Sequence, residues 1–590
     1  MIFNLLLLRP FARWFQLKML ITLENVYENS LRFALKSYRP LIFFFATFAL
    51  MIGSITFWYM NNPTIVFFPD NDPKSVYVTM ELPLGTDIHK TDKVSERVEK
   101  IVKRTLEPYQ DIIRSIATNV GSGKGGMFEG SRAANKSLTT ISFVEYKDRK
   151  GHNTSEIMKL ISKNLNGFVG AKIFVEKDES GPPVGNPINL EISGDDFQKL
   201  LSISNNIKEM LDEDKIPGVE ELKLDLDQGK PEMLINIDRD KVRRFGLSTS
   251  QVASALRNSL YGLEVSKYKD GEDEYDIMLR LSDKYRYDVP ALMNQKISLM
   301  SPVNNKFIQI PISSVASYKY GSTYERINRI ENKRVVTIYS NVVEGFNANN
   351  INTRIRELMA DYTMPKAYTF KLTGEQEEQE ETSAFLAEAL MIALALITLI
   401  LVTQFNSAVK PLIIMITVLF STIGVFLGLG IFQMPFVILM TGIGIISLAG
   451  IVVNNGIVLV DYIDLLRKEK KANTDLEGRK HLTPQQEIDC IAQAGKTRLR
   501  PVLLTAITTV LGLLPLAVGM NFNFLTLFSE FDPHLSFGSD STAFWGPMSW
   551  TVIFGLTVAT FLTLIIAPVM FRISTQVEHR LYRLAEKRKK

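Results

Sequence analysis

The sequence predicts an α+β membrane protein: a six-helix transmembrane bundle with a large soluble domain of two ferredoxin-like (βαββαβ) units, the second carrying an insertion. Three observations lead there. Six stretches are each apolar over about 20 residues, the length needed to cross the hydrocarbon of a bilayer. One of them precedes, and five follow, a block of ordinary globular composition between residues 61 and 383. Within that block, alternating and helical apolar periods follow one another in an order that occurs twice.

Residues 1–39 are amphipathic and carry Arg9, Arg13, Lys18, Arg32, Lys36 and Arg39. Two readings stand for them: a segment lying against the membrane surface, or the scar of a longer parent chain. They do not make a signal peptide, because no basic residue precedes the apolar run and no small-residue cleavage site follows it. The first span, 40–60, has no charge after its opening proline. The soluble block then reads strand 75–81, helix 87–106, strands 112–118 and 138–146, helix 155–165 and strand 171–176. That is the split βαβ order. A second pass has strand 188–193, helix 195–211 and strands 218–226 and 232–237. It breaks off until about residue 318, then resumes with strand 334–343, helix 347–362 and strand 367–372.

Between the two middle strands of the first unit, 121–134 reads GSGKGGMFEGSRAA, with Gly126, Met127 and Phe128 at its tip. Glycines there permit backbone conformations that other residues resist. The stretch is either a mobile surface loop or a switch that presents an apolar tip to a substrate. The GPPVGNP run at 181–187 is a rigid linker between the units.

The five later spans fall at 384–403, 411–432, 436–463, 501–520 and 548–571. The third of these organises the bundle. It holds the adjacent amides Asn454 and Asn455, which are costly in hydrocarbon and are expected to face other helices or a wet cavity. Ser447, Asn454 and Asp461 are spaced by seven and share a helical face. Gly442, Gly444, Gly450 and Gly456 let neighbouring backbones come close. Orientation follows from Lys and Arg. They crowd 1–39, 464–500 and the tail 572–590, whereas 521–546 has none. With six spans these basic segments share one side, so both termini are expected in the cytoplasm and the soluble block outside.

Other classes are poorly supported. A net charge of +4 over 590 residues does not suggest a nucleic-acid partner. Cys490 is the only cysteine, which rules out an intrachain disulfide and a Cys-based metal site. Five histidines lack HExxH spacing and no GxxxxGK[ST] loop is present, so no metal, cofactor or ATPase of its own is expected.

Several blocks resemble the C-terminal half of a resistance–nodulation–division (RND) efflux permease. They are GIVVNNGIVLVDYID at 450–464, TRLRPVLLTAITTVLGLLPLA at 497–517, TQFNSAVKPLIIM at 403–415, FFPDNDPKSVYVTMELPLGTD at 67–87 and the run at 181–194. The resemblance implies a proton-driven antiporter in the bacterial inner membrane, exporting drug-like or amphipathic small molecules or, in one branch, metal ions. It implies periplasmic porter subdomains at 61–180 and at 181–217 plus 320–376, and a docking subdomain at 218–319 with a hairpin near 261–275. It further implies a cytoplasmic loop or helix at 464–500, a periplasmic loop at 521–547 and a basic cytoplasmic tail at 572–590. The implied partners are a trimeric assembly, a periplasmic adaptor and an outer-membrane channel.

By the same resemblance, Arg498 and Thr505 match relay positions, with Asn454 and Asn455 opposite them. Arg498 has a plainer reading as an interfacial residue that snorkels. The family's multidrug members carry Lys at the position of Asn454, so the charge balance differs here. Their acidic pair lies in the N-terminal half, and no such pair occurs inside any span of this chain. The expectation is therefore a half-transporter that needs an N-terminal half from another chain or from a missing part. Non-transporting scaffold and protein-export auxiliary are the competing readings.

Overall fold

In the computed structural model, the described residues are 18–69, 71–123, 132–177, 185–226, 230–300, 307–323, 327–343, 346–473 and 482–589. Six of the described helices are long and apolar enough to span a membrane. The chain divides into two compact units, one comprising 82–87 and 226–328, the other everything else.

The larger unit begins with helix α1 (Leu20–Leu35), which turns into the first span, α2 (Arg39–Met60). A two-residue strand β1 (Ile65–Val66) leads to the first soluble sheet. Its elements are β2 (Ser75–Glu81), α3 (Ile88–Leu106), β3 (Ile113–Ser122), β4 (Arg132–Phe143), α4 (Thr154–Leu165) and β5 (Lys172–Lys177). The strands lie in the order β3-β4-β2-β5, all neighbours antiparallel. Helix α3 forms because Val94, Val98, Val102 and Leu106 recur at helical spacing, and that stripe is buried. Asn153 caps α4 by accepting from the backbone N–H of Ser155 and Glu156.

The second sheet repeats the pattern with β6 (Ile188–Gly194), α5 (Phe197–Glu213), β7 (Lys223–Leu224), β14 (Asn328–Ile330), β15 (Lys333–Ser340), α8 (Ala348–Asp361) and β16 (Tyr368–Leu372). Its order is β14-β15-β6-β16, with β7 also pairing with β15. Ile188, Leu190 and Ile192 of β6 alternate into a core shared with Ile203 and Ile207 of α5 and Ile351 and Ile355 of α8.

The smaller unit holds β8 (Lys230–Ile237), α6 (Arg239–Arg244), α7 (Thr249–Leu260), β9 (Leu263–Asp270), β10 (Asp273–Leu279), β11 (Lys296–Met300), β12 (Phe307–Pro311) and β13 (Ala316–Thr323). Here β8 pairs with β13, β11 with β12, and β9 with β10 in an exposed hairpin. Two boundaries differ from the sequence reading. The strand expected at 232–237 pairs inside this unit, not in the second sheet. The stretch to Asp225 stays with the larger unit because β7 completes the edge of β15, so the smaller unit begins at 226, between the 218 implied by the resemblance and the later start implied by the strand order.

The remaining spans are α9 (Glu375–Phe405), α10 (Val409–Phe432), α11 (Ile438–Asn473), α12 (Pro484–Val518) and α14 (Asp540–Lys589). A strand β17 (Phe436–Val437) pairs in parallel with β1, directly before α11. Between α12 and α14 lie β18 (Met520–Asn521), α13 (Phe524–Ser529) and β19 (Ser536–Phe537).

The bundle core gathers Ile414, Phe420 and Val425 of α10, Leu448, Val452 and Val460 of α11, Ile491 of α12 and Leu556 and Ala567 of α14. Small residues set its closest approaches. A methyl group at Gly424 would meet the Phe554 carbonyl oxygen at 2.5 Å, and one at Gly444 would meet Thr551 Cβ at 2.9 Å. Gly442 and Gly456 likewise face Leu386 and Ile414, whereas Gly450 faces open space. The segment expected as a cytoplasmic loop or helix at 464–500 is mostly helix, since α11 runs on to Asn473 and α12 starts at Pro484 behind a Thr483–Gln486 capping box.

Candidate functional site

The seam between α11 and α12 gathers three of the four relay residues expected from the sequence. Thr505 Oγ1 lies 3.2 Å from Asn455 Oδ1 and 2.9 Å from the Val502 carbonyl oxygen. One hydroxyl proton cannot serve both acceptors. Turning the Asn455 amide lets its NH2 donate to Thr505 while the hydroxyl donates to Val502, and both groups are then satisfied. Seven residues along each helix is a second rung. The Arg498 guanidinium stacks 4.4 Å from the Tyr462 ring centroid, and its buried Nε has no hydrogen-bond partner among the described residues. The rungs 455–505 and 462–498 show that α11 and α12 run antiparallel, with the rungs about 10 Å apart along the axis.

Asn454 departs from the expectation. It is exposed, as are Ser447 and Asp461, so the polar face spaced by seven is open and only Asn455 turns inward. Gly126, Met127 and Phe128 lie outside the described residues. Tyr462 was missed by the sequence reading, although its seven-residue offset from Asn455 mirrors that of Arg498 from Thr505.

At the end of α11 and α12 that carries the basic segments lies a second polar cluster. Glu487 is fully buried. Its carboxylate accepts from Arg467 Nη2 at 3.3 Å and from Arg572 Nη1, and His579 Nε2 lies 3.3 Å away. Asp464 accepts from Lys410 at 2.8 Å and lies 3.1 Å from Lys468 Nζ. Helix α1 docks here too. Arg32 reaches Asp489 at 2.5 Å, Lys496 reaches Glu28 at 2.9 Å, and the Tyr27 hydroxyl donates to the Leu564 carbonyl at 2.7 Å. The hydrogen bond from Lys496, then that from Arg32, holds the Glu28 carboxyl below its ordinary range.

In the soluble part of the larger unit, a cavity of about 130 Å³ opens between the two sheets. Phe174 and Glu176 of β5 line one side, Lys223 of β7 and Tyr339 of β15 the other. Lys223 Nζ sits 2.9 Å from the Phe174 ring centroid. Burial pushes the Lys223 ammonium below its ordinary range, opposed by Glu81, Glu176, Glu221 and Glu220.

The profile of the AcrB/AcrD/AcrF family matches residues 8–575. The cobalt-zinc-cadmium resistance protein CzcA of Cupriavidus metallidurans is 28 % identical over 396 residues, covering 66 % of this chain and 34 % of that protein. The multidrug resistance protein MdtC of Photorhabdus laumondii is 25 % identical over 558 residues, covering 94 % of this chain and 48 % of that protein. The crystal structure of a heavy metal efflux pump superposes with a TM-score of 0.71 at 19 % identity, over 94 % of this chain and 52 % of that one. The chain thus spans at most about half the length of these relatives.

Proposed function

The chain belongs to the AcrB/AcrD/AcrF family of RND efflux permeases, and we propose that it is the C-terminal half of a proton-driven pump whose acidic switch sits on an N-terminal half supplied in trans or by a missing part. One observation carries the reading. The α11–α12 seam holds Asn455, Thr505 and Arg498, yet no Asp or Glu lies within 438–460, 501–518 or 541–571, and the lone carboxyls Glu388 and Asp461 of the spans 384–403 and 436–463 are exposed and form no pair. A conformational cycle driven by protons needs a group whose charge changes inside the membrane. The exposed polar face of α11, with Ser447, Asn454 and Asp461, is the surface on which the acidic half is proposed to seat.

In this reading Arg498 remains charged and pairs with the partner's carboxylates, while Thr505 and Asn455 hold the seam. The basic segments set both termini in the cytoplasm of a bacterial inner membrane. The two βαββαβ folds act as periplasmic porter subdomains, with cargo passing along the cleft between them. The smaller unit, with its β9–β10 hairpin, serves docking within a trimer that meets a periplasmic adaptor and an outer-membrane channel. Amphipathic organic compounds are the proposed cargo, metal ions the branch suggested by CzcA.

Reconstitution tests this. Vesicles holding both halves and an imposed pH gradient are expected to export an amphipathic dye, and Arg498→Ala is expected to abolish that export. Proton-coupled export by this chain without any second half would refute the reading, and export of divalent cations in place of dye would move the cargo to the metal branch.

A further inference from the structure

The loop joining α12 to α14 exposes large apolar side chains to an unusual degree. Leu525 is 81 % exposed, Phe528 80 % and Phe531 90 %. Isolated exposed apolar residues need no explanation, but a contiguous group does. Phe531 also sits at φ +56°, a left-handed conformation that a bulky residue rarely adopts. Strain held in place by its surroundings points toward a function.

The surroundings do hold it. The neck closes through β18 and β19, with Met520 opposite Phe537 and Asn521 opposite Ser536. Asn523 caps α13 by accepting from Leu525 N at 2.9 Å, and its own N–H donates to the Pro533 carbonyl at 2.9 Å. Glu530 N donates to Thr526 O at 2.8 Å, and His534 N donates to the Asp532 carboxylate at 2.9 Å. The tip therefore satisfies much of its backbone internally, which a hydrocarbon environment demands.

The occupant follows from position. The loop leaves α12 one residue past Val518 and rejoins the bundle at Asp540. A neck of two residues and a six-residue helix reach at most about 16 Å end to end, so the tip stays within or just beyond the headgroup layer. The exposed side of α12, with Leu504, Ile507, Leu511 and Val518, runs straight into it. In the bundle taken by itself, that side is turned outward, where acyl chains would meet it. No Lys or Arg lies in 521–546, so attraction to anionic headgroups does not contribute.

We propose that residues 521–537 form a bilayer anchor, with Leu525, Phe528 and Phe531 seated at the headgroup–acyl boundary. On the orientation argued above, which the assignment of leaflet rests on, this is the outer leaflet. The partner is lipid, and a protein contact on the same tip is the competing outcome.

The test uses the full chain in phosphatidylethanolamine–phosphatidylcholine vesicles, with the fluorophore NBD on Phe528→Cys, Phe531→Cys or, as a water-exposed reference, Lys267→Cys. Cys490 is replaced by Ala. If that variant fails to fold, the native buried thiol stays and the signal of the unsubstituted chain is subtracted. Quenching by acyl-chain doxyl lipids is expected to be at least threefold stronger at 528 and 531 than at 267, and quenching by aqueous iodide at least threefold weaker. Iodide quenching equal to that at 267 would overturn the anchor. So would shielding from both quenchers together with photocrosslinking of the tip to protein. Depth does not report sidedness, so reaction with dithionite from the cytoplasmic face alone would sink the orientation while leaving the anchor in place. A tip that stays in water would sink the anchor and leave the transport reading untouched.

Discussion

Glu487→Gln is expected to be among the most damaging single substitutions in the bundle. The Glu487 side chain is 1 % exposed, and those of Arg467 and Arg572 are 11 % and 7 % exposed. Two buried guanidiniums thus face one carboxylate. The amide keeps the shape and removes the negative charge that Arg467 and Arg572 face. Breaking a buried ion pair by neutralising one partner costs about 3–5 kcal/mol, because the other charge is left buried and uncompensated. At about 1.4 kcal/mol per tenfold, that lowers the folded-to-unfolded ratio by about two to three and a half orders of magnitude. Reversible SDS unfolding in bicelles, followed by tryptophan fluorescence, measures it. The triple variant Glu487→Leu, Arg467→Met, Arg572→Leu is expected to recover most of the loss, since apolar replacement of a whole buried ion cluster is often neutral or better. A loss below about 1 kcal/mol for Glu487→Gln, the range of exposed pairs, would refute the reasoning.

Three further outcomes follow from the same geometry. Asn455→Leu and Thr505→Val, taken singly and together, are expected to show a coupling of about 0.6 kcal/mol, the mean for hydrogen bonds between membrane helices; unfolding titrations of the four proteins give it, and strict additivity would contradict the rung. Glu28 has its folded pKa lowered by Lys496 and Arg32, so its contribution to docking α1 is complete above the ordinary carboxylate range and fades as pH falls through the lowered value. Protection of the Leu20–Leu35 amides, taken relative to their intrinsic exchange rate at each pH, is expected to fall below about pH 4.5 in the parent, whereas Glu28→Gln has the lower protection at every pH, an effect of at most about 1 kcal/mol. Gly428→Ala would drive a methyl group into the Phe554 ring and is expected to cost about 1–3 kcal/mol. Gly450→Ala meets nothing within 4 Å and is expected to be neutral or mildly stabilising; equal losses at both sites in a thermal melt would count against the packing described.

Much of the architecture could be read from the sequence, because bilayer thickness and strand alternation impose strong periods. Helix ends were harder. A window of apolar residues reports the hydrocarbon it crosses and is silent about where the helix stops, so the run of α11 to Asn473 went unseen. The Thr483–Gln486 capping box was a usable cue for the start of α12. The strand order carried the second unit past the insertion boundary, because the alternation in 232–237 says that a strand exists, not which strand it pairs with. Arg498 and Thr505, seven residues apart, both lie on the α11–α12 seam. Spacing could not say which of two adjacent amides would turn toward them, since that depends on a neighbouring helix. The Glu487 cluster left no local signal in the sequence, because the partners of that carboxylate lie 20 and 85 residues away.

The short parallel pairing of Ile65 with Phe436 and of Val66 with Val437 has a mechanical consequence. Those two residues on one side are the stem from which the first sheet rises, and on the other they abut the first turn of the helix that bears Asn455. No slack separates strand from helix. Under the proposed proton-driven cycle, a piston-like stroke of that helix would be handed directly to the stem, so an event deep in the bilayer and a change of shape in the first sheet would share one drive shaft. Cutting the stitch, for example by proline at Val437, would leave each half of the machine able to move while uncoupling stroke from work.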